Sequence, residues 1–184
     1  MSADQDKSKL REVARARRIK AHQQDAEGAA QSLAAHVLAL LKDRPPAIIA
    51  GYWAIGSEID VGPLMSLLID GGWRVALPVV VENAAPLIFR SWSPGAELNE
   101  GPLKTVQPGE QHDELVPDVI ITPLLAFDEQ GYRLGQGGGF YDRTLAALTV
   151  LSIGVAFATQ RVEHIPRDQF DQRLDYIVTE QGKV

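Results

Sequence analysis

Apolar residues recur at helical spacing through the first forty positions, then give way to short, nearly continuous apolar runs. Leu10, Val13, Ala14 and Arg17 share one side of a predicted helix over about 4–21, opposite a highly charged side. Leu33, Val37, Leu40 and Leu41 define a second helix over 26–42. Asp43-Arg44-Pro45-Pro46 stops it, because proline lacks an amide donor and restricts the residue before it. Predicted strands follow at 47–53, 74–80, 87–92, 118–123, 151–158 and 176–178, with short helices at 61–69 and 141–148. The run RVALPVV is apolar almost throughout, which suits a parallel sheet covered on both faces, and Pro78 marks its carboxyl end. The polar stretch from Ser93 to Pro117 is expected to form a small β element or surface loops, with Lys104 as a surface lysine or a pocket residue. This rhythm predicts an α/β protein: a single-domain three-layer αβα fold over 1–184 with a mostly parallel or mixed central sheet.

Composition narrows the chemistry. The net charge of −6 is unevenly spread: Lys7, Lys9, Arg11, Arg15, Arg17, Arg18 and Lys20 crowd the first twenty residues and leave an acidic body. An acidic body argues against a nucleic-acid partner. The absence of cysteine excludes disulfides, thiolate zinc sites and cysteine nucleophiles. There is no GxSxG elbow, and His22, His36, His112 and His164 form no HxH or HExxH spacing. No apolar run reaches the roughly 18 residues of a membrane span, and no signal-peptide core follows the N-terminus, so a cytoplasmic protein without a membrane partner is expected.

The most unusual stretch is AFDEQGYRLGQGGGFYDRTLAAL, from Ala126 to Leu148. It is neither a P-loop nor a GxGxxG fingerprint. Two readings fit: a tight strand-to-helix turn, or a loop whose amides and following helix approach a phosphate. Lys7 and Arg11 lie one turn apart and either face solvent or clamp a polyphosphate. Glu58 falls beyond the carboxyl end of the first strand, the edge where open α/β sheets bind ligands, though a carboxylate there also suits helix capping, for which Asp60 is better placed. Trp53 is either core or a flat wall for an aromatic ligand. Asp142 and Asp175 are candidate magnesium carboxylates if the fold unites them, with capping the other role for Asp142.

Together, the blocks K7-S-K-L-R11, Glu58-Ile59-Asp60, RVALPVV, ITPLLAFDEQGYRLGQGGGFYDR, VAFATQ and LDYIVTE resemble the 5-formyltetrahydrofolate cyclo-ligase family, also called 5,10-methenyltetrahydrofolate synthetases, over nearly the full chain. The resemblance implies cyclisation of 5-formyltetrahydrofolate to 5,10-methenyltetrahydrofolate with ATP and Mg²⁺, through a phosphorylated formyl (iminium phosphate) intermediate. It implies that Lys7 and Arg11 contact ATP phosphates, and that Arg133, Leu134, Gly135, Gln136, Gly137, Gly138, Gly139, Phe140 and Tyr141 complete the nucleotide site. Lys7, Arg11, Arg133 and Asp142 would be catalytic, and Asp142 and Asp175 would hold Mg²⁺. Trp53, Glu58 and Phe140 would line the folate pocket. Arg143 would bind phosphate or, as the favoured role, pair with a carboxylate and hold the loop. Phe140 stands where the family has tyrosine, Val61 where it has threonine, and Gln107 where it often has glutamate. A related ATP-dependent enzyme acting on another folate or N-acyl compound, and a non-catalytic folate-binding module, are the alternatives. A monomer is expected.

Overall fold

The computed structural model describes residues 3–102 and 105–184; Lys104 lies outside the described residues. In chain order the elements are α1 (Ala3–Leu41), β1 (Ile48–Ala50), α2 (Gly62–Asp70), β2 (Arg74–Val79), β3 (Ile88–Ser91), β4 (Leu98–Glu100), β5 (Val106–Pro108), β6 (Glu114–Leu115), β7 (Val119–Pro123), β8 (Ala126–Phe127), β9 (Arg133–Leu134), α3 (Phe140–Ala147), β10 (Leu151–Ala156), β11 (Tyr176–Thr179) and β12 (Gly182–Lys183). The main sheet has the order β12-β11-β10-β7-β1-β2-β3-β6. Its five central strands are parallel, and the antiparallel strands β12, β3 and β6 lie outside them.

Alternation along each strand sends side chains to two different layers. Ile49, Val75, Val119, Ile121, Ile153 and Val155 pack with Leu33, Val37 and Leu41 of α1 and with Leu64, Met65 and Leu68 of α2. Ala50, Ala76, Phe89 and Ile120 face the other way, onto Phe140, Tyr141, Leu145 and Leu148 in and beside α3. The architecture is therefore αβα in three layers with a mixed, mostly parallel sheet, as the sequence pattern predicts.

The two predicted N-terminal helices are the halves of one kinked element. Asp25 interrupts α1 with extended dihedrals (φ −162°, ψ 77°), and its Oδ1 accepts the Gly28 N–H at 2.8 Å. A side-chain acceptor for an otherwise unpaired first-turn amide is what starts the second half. Strand β1 is shorter than its apolar run because a Cβ on Gly51 would stand 2.4 Å from Met65 Sδ, so beyond Ala50 the chain passes close under α2. Pro78 sits inside β2 rather than ending it. It is tolerated because the β1 ladder stops at Ala50–Ala76, so no donor is required there on that side. The polar stretch forms the β4–β5 hairpin, and β6 joins the sheet edge. The prospective helix cap Asp60 accepts the Gly62 N–H at 2.8 Å, while Val61 is fully buried in the core instead of contributing a loop hydroxyl. Gln107 Oε1 accepts the Val80 N–H at 3.1 Å and ties the hairpin to the end of β2.

If Asp25 starts the second half of α1, Asp25→Ala should lower folding stability by about 1 kcal/mol. Chemical denaturation measures this, and an unchanged midpoint would deny Asp25 that role.

Candidate functional site

The parallel strands run outward in opposite directions from the centre: β1 leads to β2 on one side, while β7, β10 and β11 build the other. The switch lies between β1 and β7, and their carboxyl ends open the crevice in which such sheets bind ligands. Two loops leave this edge. One runs from β1 through Trp53 and Glu58 to α2, and the other from β7 through the β8–β9 hairpin and the glycines to α3.

The first half of α1 lies across both. Ala14 packs on Leu125, Ala126, Leu134 and Ile165, and Arg11 Nε donates to Gly135 O at 3.1 Å. Arg15 reaches the Gln136 Oε1 at 2.9 Å. Lys7 is buried and donates to Asp168 at 2.9 Å and Asp171 at 2.6 Å. Burial alone would lower the Lys7 pKa, but the bonds to Asp171 and Asp168 outweigh it and leave the ammonium more basic than usual. At the far end Arg18 donates from Nε to Ser57 Oγ at 3.1 Å and from an Nη to Glu58 Oε1 at 3.3 Å.

Glu58 is 8% exposed. Its Oε2 accepts the Ile55 N–H at 3.0 Å. Burial raises its pKa, and the Ile55 amide and Arg18 restrain the rise. Burial followed by the Glu58 charge pushes the Tyr52 and Tyr141 hydroxyls up, which places both phenols within the field of this carboxylate. Trp53 is 46% exposed and meets Trp92 edge to face at 6.3 Å between centroids. That exposure keeps Trp53 out of the core.

The glycine loop is built for close approach. Gly137 (φ 105°) and Gly139 (φ 68°) occupy left-handed conformations that favour glycine, and a Cβ on Gly137 would stand 3.4 Å from the Arg11 guanidinium. A Cβ on Gly135 would meet open space. The first helical bond of α3 runs from Arg143 N–H to Gly139 O at 3.1 Å, leaving the amides of residues 140–142 without intrahelical acceptors. Free amides, a helix N-terminus and three cationic side chains make a donor set suited to a polyphosphate. Arg143 does hold the loop, but through carbonyls rather than a carboxylate: Nε donates to Ala85 O at 3.1 Å and an Nη to Gly138 O at 2.8 Å. Its guanidinium also lies over the Phe140 ring at 5.0 Å.

The two candidate metal carboxylates belong to different hydrogen-bond systems. Asp142 Oδ1 accepts from Arg133 at 2.7 Å and from the Gln172 N–H at 3.0 Å, so it does not cap α3. Asp175 precedes β11 at the amino edge, where its Oδ2 accepts from Ser152 N–H and Oγ–H at 2.8 and 2.7 Å. Each carboxylate is thus engaged by its own donors, Asp175 at the start of β11 and Asp142 at the start of α3. Among the described residues no group of three or more His, Asp or Glu side chains could hold a metal. Mg²⁺ bound mainly by nucleotide phosphates and one carboxylate remains chemically compatible with Asp142.

Sequence reasoning missed Arg18, Asp168 and Asp171, whose partners are 39 or more positions away. It also missed Gln160 as an organiser: its amide donates to Leu124 O and Leu125 O at 2.7 and 2.9 Å and fixes the chain leaving β7.

The Lys7 bond holds the Asp168 pKa below its ordinary value, with the Phe170 amide assisting. A depressed carboxyl stabilises the fold above its unfolded pKa of about 3.9 and loses that contribution as pH falls through the folded value. Wild type should therefore exceed Asp168→Asn in stability by a constant increment between about pH 5 and 8. The gap should close in acid, as read from denaturation midpoints across pH.

The sequence profile of the 5-formyltetrahydrofolate cyclo-ligase family matches residues 3–180. The chain is 39% identical over 147 residues to the 5-formyltetrahydrofolate cyclo-ligase of Escherichia coli, covering 73% of this chain and 81% of that one. It is 38% identical over 143 residues to the Mycolicibacterium smegmatis protein of the same name, covering 71% and 72%. The structure of 5,10-methenyltetrahydrofolate synthetase from Mycoplasma pneumoniae superposes with a TM-score of 0.77 at 25% identity, covering 95% of this chain and 99% of that one. The Aquifex aeolicus 5,10-methenyltetrahydrofolate synthetase structure gives 0.75 at 32% identity, covering 96% and 91%. With its glycine loop, its basic first helix and its buried glutamate at one sheet edge, the chain belongs to the 5-formyltetrahydrofolate cyclo-ligase family.

Proposed function

We propose that this protein catalyses the ATP- and Mg²⁺-dependent cyclisation of 5-formyltetrahydrofolate to 5,10-methenyltetrahydrofolate, with release of ADP and phosphate. Beyond family membership, the observation that carries the reading is the placement of α1. It brings Arg11 to the Gly135 carbonyl of the glycine loop, carries Lys7 one turn away on Asp168 and Asp171, and reaches buried Glu58.

Bound Mg²⁺-ATP would supply the phosphoryl group that turns the formyl oxygen into a leaving group. Lys7 would exchange Asp168 and Asp171 for phosphate oxygens, while Arg11 and the amides of residues 140–142 neutralise charge that spreads in phosphoryl transfer. Asp142 is the carboxylate nearest this donor set in sequence and would hold Mg²⁺ with the phosphates, its bond to Arg133 fixing its direction. Asp175, committed to Ser152, is left with a role in the sheet. Each Glu58 oxygen already takes one protein donor and keeps lone-pair capacity for pterin N–H groups. Trp53 would stand beside the ring system. The folate N10 attacks the activated formyl carbon, loses its proton, and phosphate departs with the C–O bond. No protein nucleophile is needed, in keeping with a cysteine-free chain.

Purified protein should produce the methenyltetrahydrofolate absorbance only when ATP, Mg²⁺ and 5-formyltetrahydrofolate are all present. ATP binding without turnover would shift the reading to another N-acyl substrate, and folate binding without ATP consumption to a binding module. Asp142→Asn keeps an acceptor for Arg133 and should lower kcat by about 10²-fold with little change in thermal stability. A stability loss without the kcat effect would make Asp142 structural. Glu58→Ala should weaken folate binding by roughly 10-fold or more and leave ATP affinity intact, measured by calorimetry.

A further inference from the structure

Lys7, Arg11, Ala14 and Arg18 are spaced by four, three and four residues, which places them on one stripe of α1. Lys7 and Arg11 are accounted for by the nucleotide site proposed above, but Arg18 is not. It is 7% exposed. A guanidinium rarely enters such surroundings without a purpose, because its desolvation must be offset by charge-assisted bonds. Here the planar fork spends one nitrogen on Ser57 Oγ at 3.1 Å and another on Glu58 Oε1 at 3.3 Å, adjacent residues of the loop after β1.

The carboxylate it meets is the one through which the folate would be read. Glu58 Oε2 is fixed by the Ile55 amide of its own loop, so Oε1 depends on Arg18 for its side-chain partner. We propose that Arg18 is a positioning residue that holds the Glu58 carboxylate in the orientation and anionic state required to accept pterin N–H groups. The proposal rests on the folate-binding reading of Glu58. It adds that α1 carries the nucleotide cations and the folate-orienting cation on one rigid stripe.

Among the described residues, the charged and titratable groups around Glu58 are few. Arg18 faces it from α1, Tyr52 from the segment after β1 and Tyr141 from α3, and both phenols are pushed up and stay neutral near pH 7. Asp60 acts on Tyr52. Arg18 is thus the cation that favours ionised Glu58 against its burial. Removing it must raise the midpoint at which Glu58 takes up a proton. Affinity for a pterin that needs the anion must then fall away at a higher pH than in wild type.

The test uses full-length Arg18→Met, Arg18→Lys and Ser57→Ala, with two readouts. The first is the Glu58 carboxyl titration by ¹³C NMR in ligand-free protein, assigned by loss of its signal in Glu58→Gln. The second is calorimetric binding of 5-formyltetrahydrofolate across pH without ATP. Arg18→Met should raise the Glu58 midpoint and weaken neutral-pH folate binding by about 10- to 100-fold, with ATP affinity within about twofold. Arg18→Lys, which keeps the charge without the fork, should restore most of the midpoint and part of the affinity. Ser57→Ala should loosen binding without moving the midpoint. An unmoved Glu58 midpoint in Arg18→Met, or in Arg18→Lys an upward shift as large as full charge removal would give, would overturn the proposal. So would an affinity lost equally at every pH. Should Arg18→Met fail to fold, the Arg18→Lys and Ser57→Ala pair still decides between charge and packing. Wild-type protein that binds no folate would overturn the folate-binding reading of Glu58, while the ligand-free titration would still report on the Arg18–Glu58 pair.

Discussion

Everything at the carboxyl edge depends on the first half of α1 lying across it. That segment contributes little to the main core: Leu33, Val37 and Leu41, which seat α1 on the sheet, all come after the kink at Asp25. What holds the first half down is a small cluster around Ala14 together with polar contacts from Lys7, Arg11, Arg15 and Arg18. Buried ion pairs are weak sources of net stability, since desolvation offsets most of the attraction, but they are specific about geometry. The helix is therefore fixed in place through cations that a polyphosphate would also address and through the Glu58 carboxylate that a pterin would address. Lys7 shows this most clearly: the ammonium donors that satisfy Asp168 and Asp171 are those a phosphate would take.

The layer structure was legible because it rests on periodicity. Helical spacing marked both halves of α1, and apolar runs marked β2, β7 and β10 within one or two residues. The strands β6, β8, β9 and β12 have two residues each, too short to carry any alternation, and their pairing is decided by tertiary context. The boundary of β1 was misjudged because Gly51 and Tyr52 remain apolar and buried after the ladder has ended. At the candidate site, Lys7, Arg11, Glu58 and the glycines stand out in the sequence by motif and spacing. Arg18 does not, because one of seven basic residues in the same helical stretch has no local mark of burial. The Asp175 bonds to Ser152 were not legible either, because their two residues lie 23 positions apart and meet only through the β10–β11 pairing.

The loop glycines acquire a more definite role once the backbone is known. Gly137 and Gly139 turn the chain through left-handed dihedrals, and Arg143 then closes on the turn by binding Gly138 O and lying over Phe140. The aromatic ring at 140 is thus engaged by a cation from its own helix. A tyrosine at this position would add a hydroxyl without changing that contact, which explains why phenylalanine is compatible with the same loop. Gly139 is also close to Arg143: a Cβ there would stand 2.6 Å from an Nη. The left-handed turn and the guanidinium therefore constrain each other. Arg143 thereby braces the loop through its carbonyls, while the amides of residues 140–142 keep no intrahelical acceptor.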